Sequence, residues 1–326
     1  MNEKVKSLVA KSIRGDEITI DESRRILHAK GAELTAYMAG AHGIKEHYFA
    51  DRVDLCSIIN AKSGHCPENC SFCAQSSHHQ AKVPIYPLRS VDEIVLGAVQ
   101  AQRNGSHCYG IVTSGTRIKP GNEFSTLLSA LRRINRETTI APSVSLGILD
   151  AESAKALFEA GGKTYHHNLE TARSYFPQIC TTHDYQEDIE TIICAQKAGL
   201  KTCCGGIFGL GESIEQRIEL GMTLRALDVD SVPLNFLNPV AGTPLQDAEM
   251  LSPMDCLRII CLYRYLLPDK HITVCGGREK NLGEFQSAIF MAGAGGMMIG
   301  NYLTTSGRNH TVDEQMLMDA EVTINV

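Results

Sequence analysis

From residue 50 onward, short runs of apolar and β-branched residues alternate with longer segments that repeat with the period of a helix. This alternation is typical of an α/β fold with a parallel sheet, because parallel strands need a crossover between them. Eight runs are predicted to be strands, at Leu55–Asn60, Ser106–Thr113, Thr138–Leu146, Lys163–Asn168, Lys201–Gly206, Ser231–Asn235, His271–Gly277 and Gly295–Ile299. Eight such units between residues 50 and 310 favour a closed (β/α)8 barrel of the TIM type, which usually takes about 250 residues. A doubly wound open sheet is the alternative.

Two of the intervening helices carry clear start signals. Ser90 followed by Glu93 predicts a capping box that begins a helix over Val91–Asn104. Ser252 with proline in the first turn predicts a helix over Pro253–Leu266.

The first fifty residues show helical patterns, at Glu22–Lys30 and Glu33–Ala41, and no strand signal. We therefore predict a helical cap over residues 1–50 that packs outside the barrel. The barrel domain is predicted to cover residues 51–326.

Charge and hydropathy limit the expected partners. The formal net charge of -6 is spread along the chain without a Lys/Arg block, so nucleic acid is not an expected partner. No run approaches eighteen apolar residues, and residues 1–17 lack the apolar stretch of a secretory signal. We expect a cytoplasmic protein that does not bind a membrane.

The chain has 12 cysteines, which in a reducing compartment indicate metal ligands rather than a disulfide framework. Three of them lie in apolar helical stretches and are predicted to be small core residues, namely Cys194, Cys256 and Cys261. Cys180 has no assignment from its surroundings.

The strongest motif is the triplet Cys66, Cys70 and Cys73, spaced C-x3-C-x2-C directly after the first predicted strand. Thiolates are the preferred ligands of iron–sulfur clusters, and three of them leave one iron of a [4Fe–4S] cluster open. S-adenosylmethionine (SAM) can bind that iron through its amino and carboxylate groups. A zinc site is the alternative, but it needs a fourth ligand and usually paired knuckles.

Further residues suit a nucleoside cofactor. The stretch GGIFGLGE at 205–212 predicts a glycine-rich turn that approaches a ligand closely, with Ile207 available to pack on adenine. Asn168 and Glu170 follow the fourth strand and could bind ribose hydroxyls, although a satisfied polar strand end would look the same. Phe72, inside the triplet, is one more candidate contact of the cofactor.

These motifs resemble the biotin synthase family of radical SAM enzymes over nearly the whole chain. The family-like stretches are NAKSGHC (60–66), CPENCSFCAQS (66–76), YHHNLET (165–171), CCGGIFGLGE (203–212), SVPLNFLNPVAGTPL (231–245), GGREKNL (276–282) and GNYLTT (300–305). The resemblance implies a barrel enzyme in which deoxyadenosyl radicals abstract hydrogen from dethiobiotin and a sulfide of a second, auxiliary cluster is inserted. It also implies that Asn168 and Glu170 contact the cofactor, and that His166, Asn168 and Asn235 contact the substrate.

The auxiliary ligands depart from the well-known form, in which three strand cysteines and an arginine hold a [2Fe–2S] cluster. Cys108, Cys203 and Arg278 match three of these ligands, but Ser143 occupies the remaining position. One thiolate is therefore missing.

Two cysteines occur where the well-known members have other residues, Cys56 on the first strand and Cys275 on the seventh. Neighbouring strands lie about 5 Å apart, so their inward side chains can converge. We expect an auxiliary cluster of four irons rather than two, with Arg278 as a neighbour or weak ligand. Its predicted thiolates are Cys56, Cys108, Cys203 and Cys275. Alternatively, Cys56 and Cys275 are small core residues. Cys204 directly follows Cys203 and should therefore face the opposite side of the strand.

A second departure is Asp188, which stands where the well-known form has an arginine thought to meet the cofactor carboxylate. A carboxylate there would repel that group, so another cation or the open iron must serve.

The resemblance further implies an electron donor such as flavodoxin or ferredoxin. It leaves the oligomeric state open, with a homodimer as a candidate. Alternative functions are a related barrel enzyme, such as the maturase of iron-only hydrogenase, and a non-catalytic cluster or zinc scaffold.

Overall fold

A computed structural model describes residues 3–325 of the chain. Residues 1, 2 and 326, which belong to the predicted cap and barrel domains, lie outside the described residues. The strands in the described part are β1 (Arg52–Lys62), β2 (Cys108–Thr113), β3 (Ala141–Ser145), β4 (Thr164–His166), β5 (Lys201–Cys203), β6 (Gly206–Phe208), β7 (Ser231–Phe236), β8 (His271–Val274), β9 (Gly296–Met298) and β10 (Thr323–Ile324).

The strands close into a parallel barrel. β1 pairs with β2 on one side and with β9 on the other, through registers such as Leu55 opposite Met297. All pairs around the ring are parallel, and β5 and β6 together occupy the fifth of eight positions. The predicted eight-position barrel is therefore confirmed, and the open sheet is excluded. β10, which the sequence reading did not identify, adds to β1 outside the ring.

The fifth position is two strands instead of the predicted single strand Lys201–Gly206. The interruption lies opposite Pro233 of β7, which has no N–H to donate to the ladder. Gly205 packs so closely there that an added Cβ would stand 2.0 Å from the Pro233 carbonyl oxygen. The predicted strand His271–Gly277 also ends early, at Val274.

The helices of the described residues are α1 (Glu3–Ile13), α2 (Ile20–His28), α3 (Gly31–Phe49), α4 (Val91–Arg103), α5 (Asn122–Glu137), α6 (Ala151–Glu159), α7 (Tyr185–Lys197), α8 (Ile214–Ala226), α9 (Pro253–Leu266), α10 (Arg278–Leu282), α11 (Ala288–Met291) and α12 (His310–Asp319). The capping box of Ser90 and Glu93 begins α4 as predicted, and Ser252 caps α9. No helix among the described residues is long and apolar enough to cross a bilayer.

The amino-terminal helices pack on the flank of the barrel against α8 and α9. Their apolar side chains belong to the same buried cluster as β7, β8 and α9. Among the hydrogen bonds that fasten them, Ser12 Oγ donates to the Tyr265 carbonyl at 2.8 Å and Tyr265 Oη donates to the Tyr37 carbonyl at 3.1 Å. The division at residue 50 stays a prediction.

The two faces of the barrel wall differ in side-chain size. On β3 and β4, the large side chains of Val144 and Tyr165 point outward and are fully buried under the helices. The inward positions on the neighbouring strands carry small residues such as Gly110, Ser143 and Thr164. Barrels usually fill their interior with branched side chains, so this one is unusually hollow.

Arg264 of α9 holds the amino-terminal ends of β8 and β9 in place and gives a test of the fold. Its side chain is fully buried and donates to the carbonyls of Gly293 at 2.8 Å and Lys270 at 2.8 Å. We expect Arg264→Met to leave these carbonyls unpaired and to lower the free energy of unfolding by about 3 kcal/mol in urea titrations. Arg136→Met, at a side chain that is 71% exposed, is the control. Equal stability of the two variants would contradict this role.

Candidate active site

One cavity of about 1290 Å³ occupies the barrel interior. At the carboxyl ends of the strands it is lined by the loop that carries the cysteine triplet, which we call the cluster loop (residues 63–79). Deeper in the barrel it is lined by the four cysteines predicted for the auxiliary cluster. The structure thus places both predicted sites in one cavity.

The cluster loop is held by its own backbone. Cys66 N–H donates to the Gln75 carbonyl at 3.1 Å, Ser77 N–H returns to the Cys66 carbonyl at 2.8 Å, and Cys73 N–H bonds the Cys70 carbonyl at 2.9 Å. All three thiols are half-buried, unpaired by disulfides and directed at the cavity.

The donor set of this loop fits an iron–sulfur cluster. Burial raises the pKa of the Cys66 thiol above its usual range, and it raises the pKa of Cys73 to about 11. Burial disfavours the thiolate forms of these thiols, and a bound metal supplies the positive charge that lets them deprotonate. Three ligands from one loop also match a cluster better than a closed tetrahedral zinc site.

Cys180, which the sequence left unassigned, lies beside this loop. Its Sγ is 3.8 Å from Cys70 Sγ and 3.3 Å from His183 Nδ1. The hydrogen bonds from Cys70 and then His183 lower the pKa of Cys180 to about 3 despite its burial. Nothing in the local sequence signals this contact, because 110 residues separate the two cysteines.

A buried charge network joins the cluster loop to α7. His183 Nδ1 donates to Glu68 Oε2 at 2.7 Å, and its Nε2 faces Asp188 Oδ2 at 3.5 Å. His167 Nε2 donates to the other oxygen of Asp188 at 2.7 Å. Since both ring nitrogens of His183 face carboxylates, the ring is an imidazolium.

The pKa values follow from this geometry. Burial opposes the charge on His183, but its bonds to Asp188, Cys180 and Glu68 outweigh that effect and raise its pKa to about 11. Burial likewise opposes ionisation of Asp188, yet the hydrogen bonds from His167 and His183 keep its pKa below the usual value. Asp188 is therefore an ionised carboxylate that is already neutralised, which the sequence alone did not reveal.

The candidate nucleoside contacts line the same end of the cavity. Asn168 Nδ2 donates to Glu170 Oε2 at 3.3 Å, and Phe72 and Ile207 contribute apolar surface. Glu170 has a left-handed backbone with φ 61, and its carbonyl accepts from Ile207 N–H at 2.8 Å. Burial raises the pKa of Glu170 to about 8, so its carboxyl group can donate as well as accept.

The four auxiliary cysteines face one another across the barrel. Cys56 of β1 stands directly opposite Cys108 of β2, and the two thiols share a hydrogen bond. Cys203 ends β5, and Cys275 follows β8 with its N–H bonded to the Leu234 carbonyl at 2.9 Å. Burial, and then charge repulsion from Cys56 and Cys203, raises the pKa of the Cys275 thiol, so these three thiols lie close together. Burial raises the pKa of Cys203 to about 12, so this site also favours a cation.

The other predicted residues occupy different places around this site. His166 Nδ1 is 3.3 Å from Cys203 Sγ. Asn235 Oδ1 accepts from Gly276 N–H at 2.8 Å, which positions its amide at the cavity wall. Arg278 is 1% exposed and lies behind the wall, with its terminal nitrogens bonded to Gln286 at 2.5 Å and Asp313 at 2.7 Å.

The remaining cysteines are structural. Cys204 is fully buried in the outer core, on the opposite side of its strand from Cys203 as predicted. Cys256 and Cys261 are fully buried, and Cys194 is half-buried against the same kind of apolar cluster. None of these four lines the cavity.

Two family models match the chain. The Radical SAM superfamily model matches residues 61–222, and the Biotin and Thiamin Synthesis associated domain matches residues 233–323. The first match ends within α8, and the second begins within β7.

Curated relatives match over the full length. The biotin synthase of Syntrophotalea carbinolica is 59% identical and covers 99% of both chains. Those of Geotalea daltonii and Geobacter metallireducens are each 57% identical over 99% of this chain and 98% of the relative.

Solved structures show the same fold at low identity. Methylornithine synthase (PylB) has a TM-score of 0.83 at 20% identity, over 96% of this chain and 95% of its own. HydG, a maturase of the [FeFe]-hydrogenase, has a TM-score of 0.83 at 15% identity, over 99% of this chain and 75% of its own.

The protonation of His183 can be measured. We expect its ring to stay protonated above pH 9 in ¹⁵N-histidine NMR spectra of the cluster-free protein, with the signal assigned by its loss in His183→Gln. Because the folded pKa exceeds the unfolded value of about 6.5, the stability that His183 adds is full below that pH and declines towards pH 11. A ring that titrates near pH 6.5 would contradict the network.

Proposed function

Since the chain belongs to the biotin synthase family of radical SAM enzymes, we propose that its reaction is the insertion of one sulfur atom into dethiobiotin. In this reaction two C–H bonds of the substrate break and two C–S bonds form. The observation that carries the proposal is the presence of two separate thiol clusters in one barrel cavity, one in the cluster loop and one beneath it. The deeper thiols would hold the cluster that supplies the sulfur.

The cofactor site is assigned to the cluster loop. Cys66, Cys70 and Cys73 would hold a [4Fe–4S] cluster, and with SAM bound this group supplies hydrogen-atom abstraction from carbon. The protein's part is to position the cofactor and exclude competing reactions. Asn168 and Glu170 are proposed to bind ribose hydroxyls, because both line the cofactor end of the cavity.

The cofactor carboxylate is proposed to bind the open iron of the cluster, because no side-chain cation among the described lining residues is free at that end of the cavity. Three lysines line the cavity, and all of them lie at its other end: Lys163, Lys201 and Lys270. His183 is the imidazolium at the cofactor end, and Glu68 and Asp188 hold it in place. Both ring nitrogens of His183 are thus used within the protein. Its charge and the hydrogen bond from His167 reduce the repulsion that Asp188 would exert on an anionic group.

The auxiliary cluster is the proposed sulfur donor. Its four thiolates would be Cys56, Cys108, Cys203 and Cys275, and four thiolates suit a four-iron cluster better than a two-iron one. Arg278 is proposed as a neighbour rather than a ligand, because Gln286 and Asp313 occupy both terminal nitrogens of its guanidinium.

The substrate would lie between the two sites. Asn235 keeps one amide N–H and part of its oxygen free after its backbone bonds to Gly206 and Gly276, which suits a ureido group. His166 lies between Cys203 and the cofactor end and could contact the same group. A donor such as flavodoxin or ferredoxin is proposed because SAM cleavage consumes an electron. A homodimer stays a prediction.

The hydrogenase-maturase alternative is less well supported. The likeness to HydG is 15% identical and concerns the fold alone, whereas relatives 57 to 59% identical are named biotin synthases. A non-catalytic scaffold would leave the nucleoside contacts without a purpose.

Loss of one cluster-loop thiol should abolish cofactor cleavage. We expect Cys70→Ala to release less than about 1% of the wild-type 5′-deoxyadenosine under dithionite, because the cluster loses one of three ligands. Cys194→Ala, at a cysteine outside the cavity, is the control. Wild-type release of 5′-deoxyadenosine by Cys70→Ala would refute the assignment.

Loss of a deeper thiol should separate cofactor cleavage from sulfur insertion. We expect Cys203→Ala to keep 5′-deoxyadenosine formation but to make no biotin. Iron and acid-labile sulfide analysis with Mössbauer spectra should show fewer irons in Cys275→Ser than in the matched Cys261→Ser. Normal biotin formation by Cys203→Ala would refute the donor site.

A further inference from the structure

The cavity passes through the whole barrel and opens at both ends. Besides the cofactor end, it reaches residues at the amino-terminal ends of the strands and in the loops before them. We call this second opening the amino-terminal mouth and define it by five lining residues, Asp54, Lys163, Lys201, Asp230 and His271.

The auxiliary cysteines lie close to this mouth. Cys203 is two residues above Lys201 on β5, and Cys56 is two residues above Asp54 on β1, so each lies about 7 Å from it along the strand. From Cys56 to the end of β1 at Lys62, below the cluster loop, the distance is about 20 Å. The mouth is therefore the shorter route from solvent to the deeper cysteines.

Small side chains keep this route open. The inward positions at the level of the mouth and of the cysteines include Thr164, Ala141 and Ser231, all of which line the cavity. Thr164 is paired with Lys201, and Ser231 is paired with Cys203, so these residues lie at the level of the passage. The carboxyl-end route, in contrast, would be filled by cofactor and substrate during turnover.

The charges at the mouth suit a small anion. Within residues 3–325, no carboxylate comes within ion-pair distance of Lys163 or Lys201, whose backbones are joined by a 3.0 Å hydrogen bond. The carboxylates that line this end already have partners, because Asp54 faces His271 at 3.1 Å, Asp230 accepts from the Thr202 N–H at 2.8 Å, and Asp269 pairs with Lys270 at 3.2 Å. Two free ammonium groups are thus left at the rim.

We propose that the amino-terminal mouth is the entry port through which hydrosulfide reaches the auxiliary site after its sulfide has been used. This inference rests on the proposed function. HS⁻ carries sulfur in the same oxidation state as a cluster sulfide, so its entry as an iron ligand, with its proton released to water, is a ligand substitution that neither oxidises nor reduces sulfur. The two electrons that the irons keep when a sulfide forms two C–S bonds would leave separately, to the electron carrier proposed above. Sulfur can then be replaced without emptying the cofactor end.

The test uses the anaerobic holoenzyme and sodium sulfide labelled with ³⁴S. After a first turnover, labelled sulfide is added, and its uptake into acid-labile sulfide and into newly formed biotin is followed by mass spectrometry. Label that Cys203→Ala does not take up is assigned to the auxiliary site. We expect the doubly substituted Lys163→Glu, Lys201→Glu enzyme to match wild type in the first turnover and to take up label about tenfold more slowly. Added salt should slow uptake in the wild type.

Two further variants sharpen the result. The double substitution Lys82→Glu, Lys119→Glu makes the same charge change at exposed residues outside the cavity, and it should behave as wild type. Thr164→Phe narrows the passage without changing charge and should slow uptake at any salt concentration.

The outcomes separate the two claims. Wild-type uptake in both mouth variants, or slowed uptake in the Lys82, Lys119 control alone, would overturn the entry port. A wild-type enzyme that makes no biotin in the first turnover would overturn the proposed function, while the uptake rates would still decide whether sulfide passes through the mouth.

Discussion

Parallel pairing around a closed ring is the constraint on which the rest of this structure depends. Once β9 pairs with β1, the register of each strand fixes how deep every inward side chain lies. Cys56 and Cys108 stand at one level because their strands are in register there, and Cys203 joins them through its pairing with His166 and Ser231. Residues up to about 220 positions apart in sequence are thus brought to one depth by backbone hydrogen bonds alone.

Electrostatics then divide the cavity into two ends. At the cofactor end, the buried carboxylates of Glu68 and Asp188 hold the imidazolium of His183, so these three charges are fixed in place. At the opposite end, lysines stand at the solvent rim. The thiols lie between, where burial disfavours their ionised form until a metal supplies positive charge. The arrangement suits two metal groups and an organic substrate in one enclosed space.

Much of the fold could be predicted because its signals are local. Strand and helix periods located all eight barrel positions, and the Ser90 and Ser252 caps set two helix starts. The break opposite Pro233 and the position of Arg278 behind the wall depend on contacts between distant segments, which no local pattern records. For the same reason the sequence pointed to Asp188 but could not find its partner His183, and Cys180 appeared without a role until the fold brought it to Cys70.

The central claim is that this barrel holds two separate iron sites at different depths of one cavity. Anomalous diffraction at the iron K-edge from anaerobically grown crystals tests it most directly. We expect two anomalous peaks, one enclosed by the cluster loop and one between β1, β2, β5 and the end of β8. A single peak, or a second peak outside the ring of those four cysteines, would contradict it.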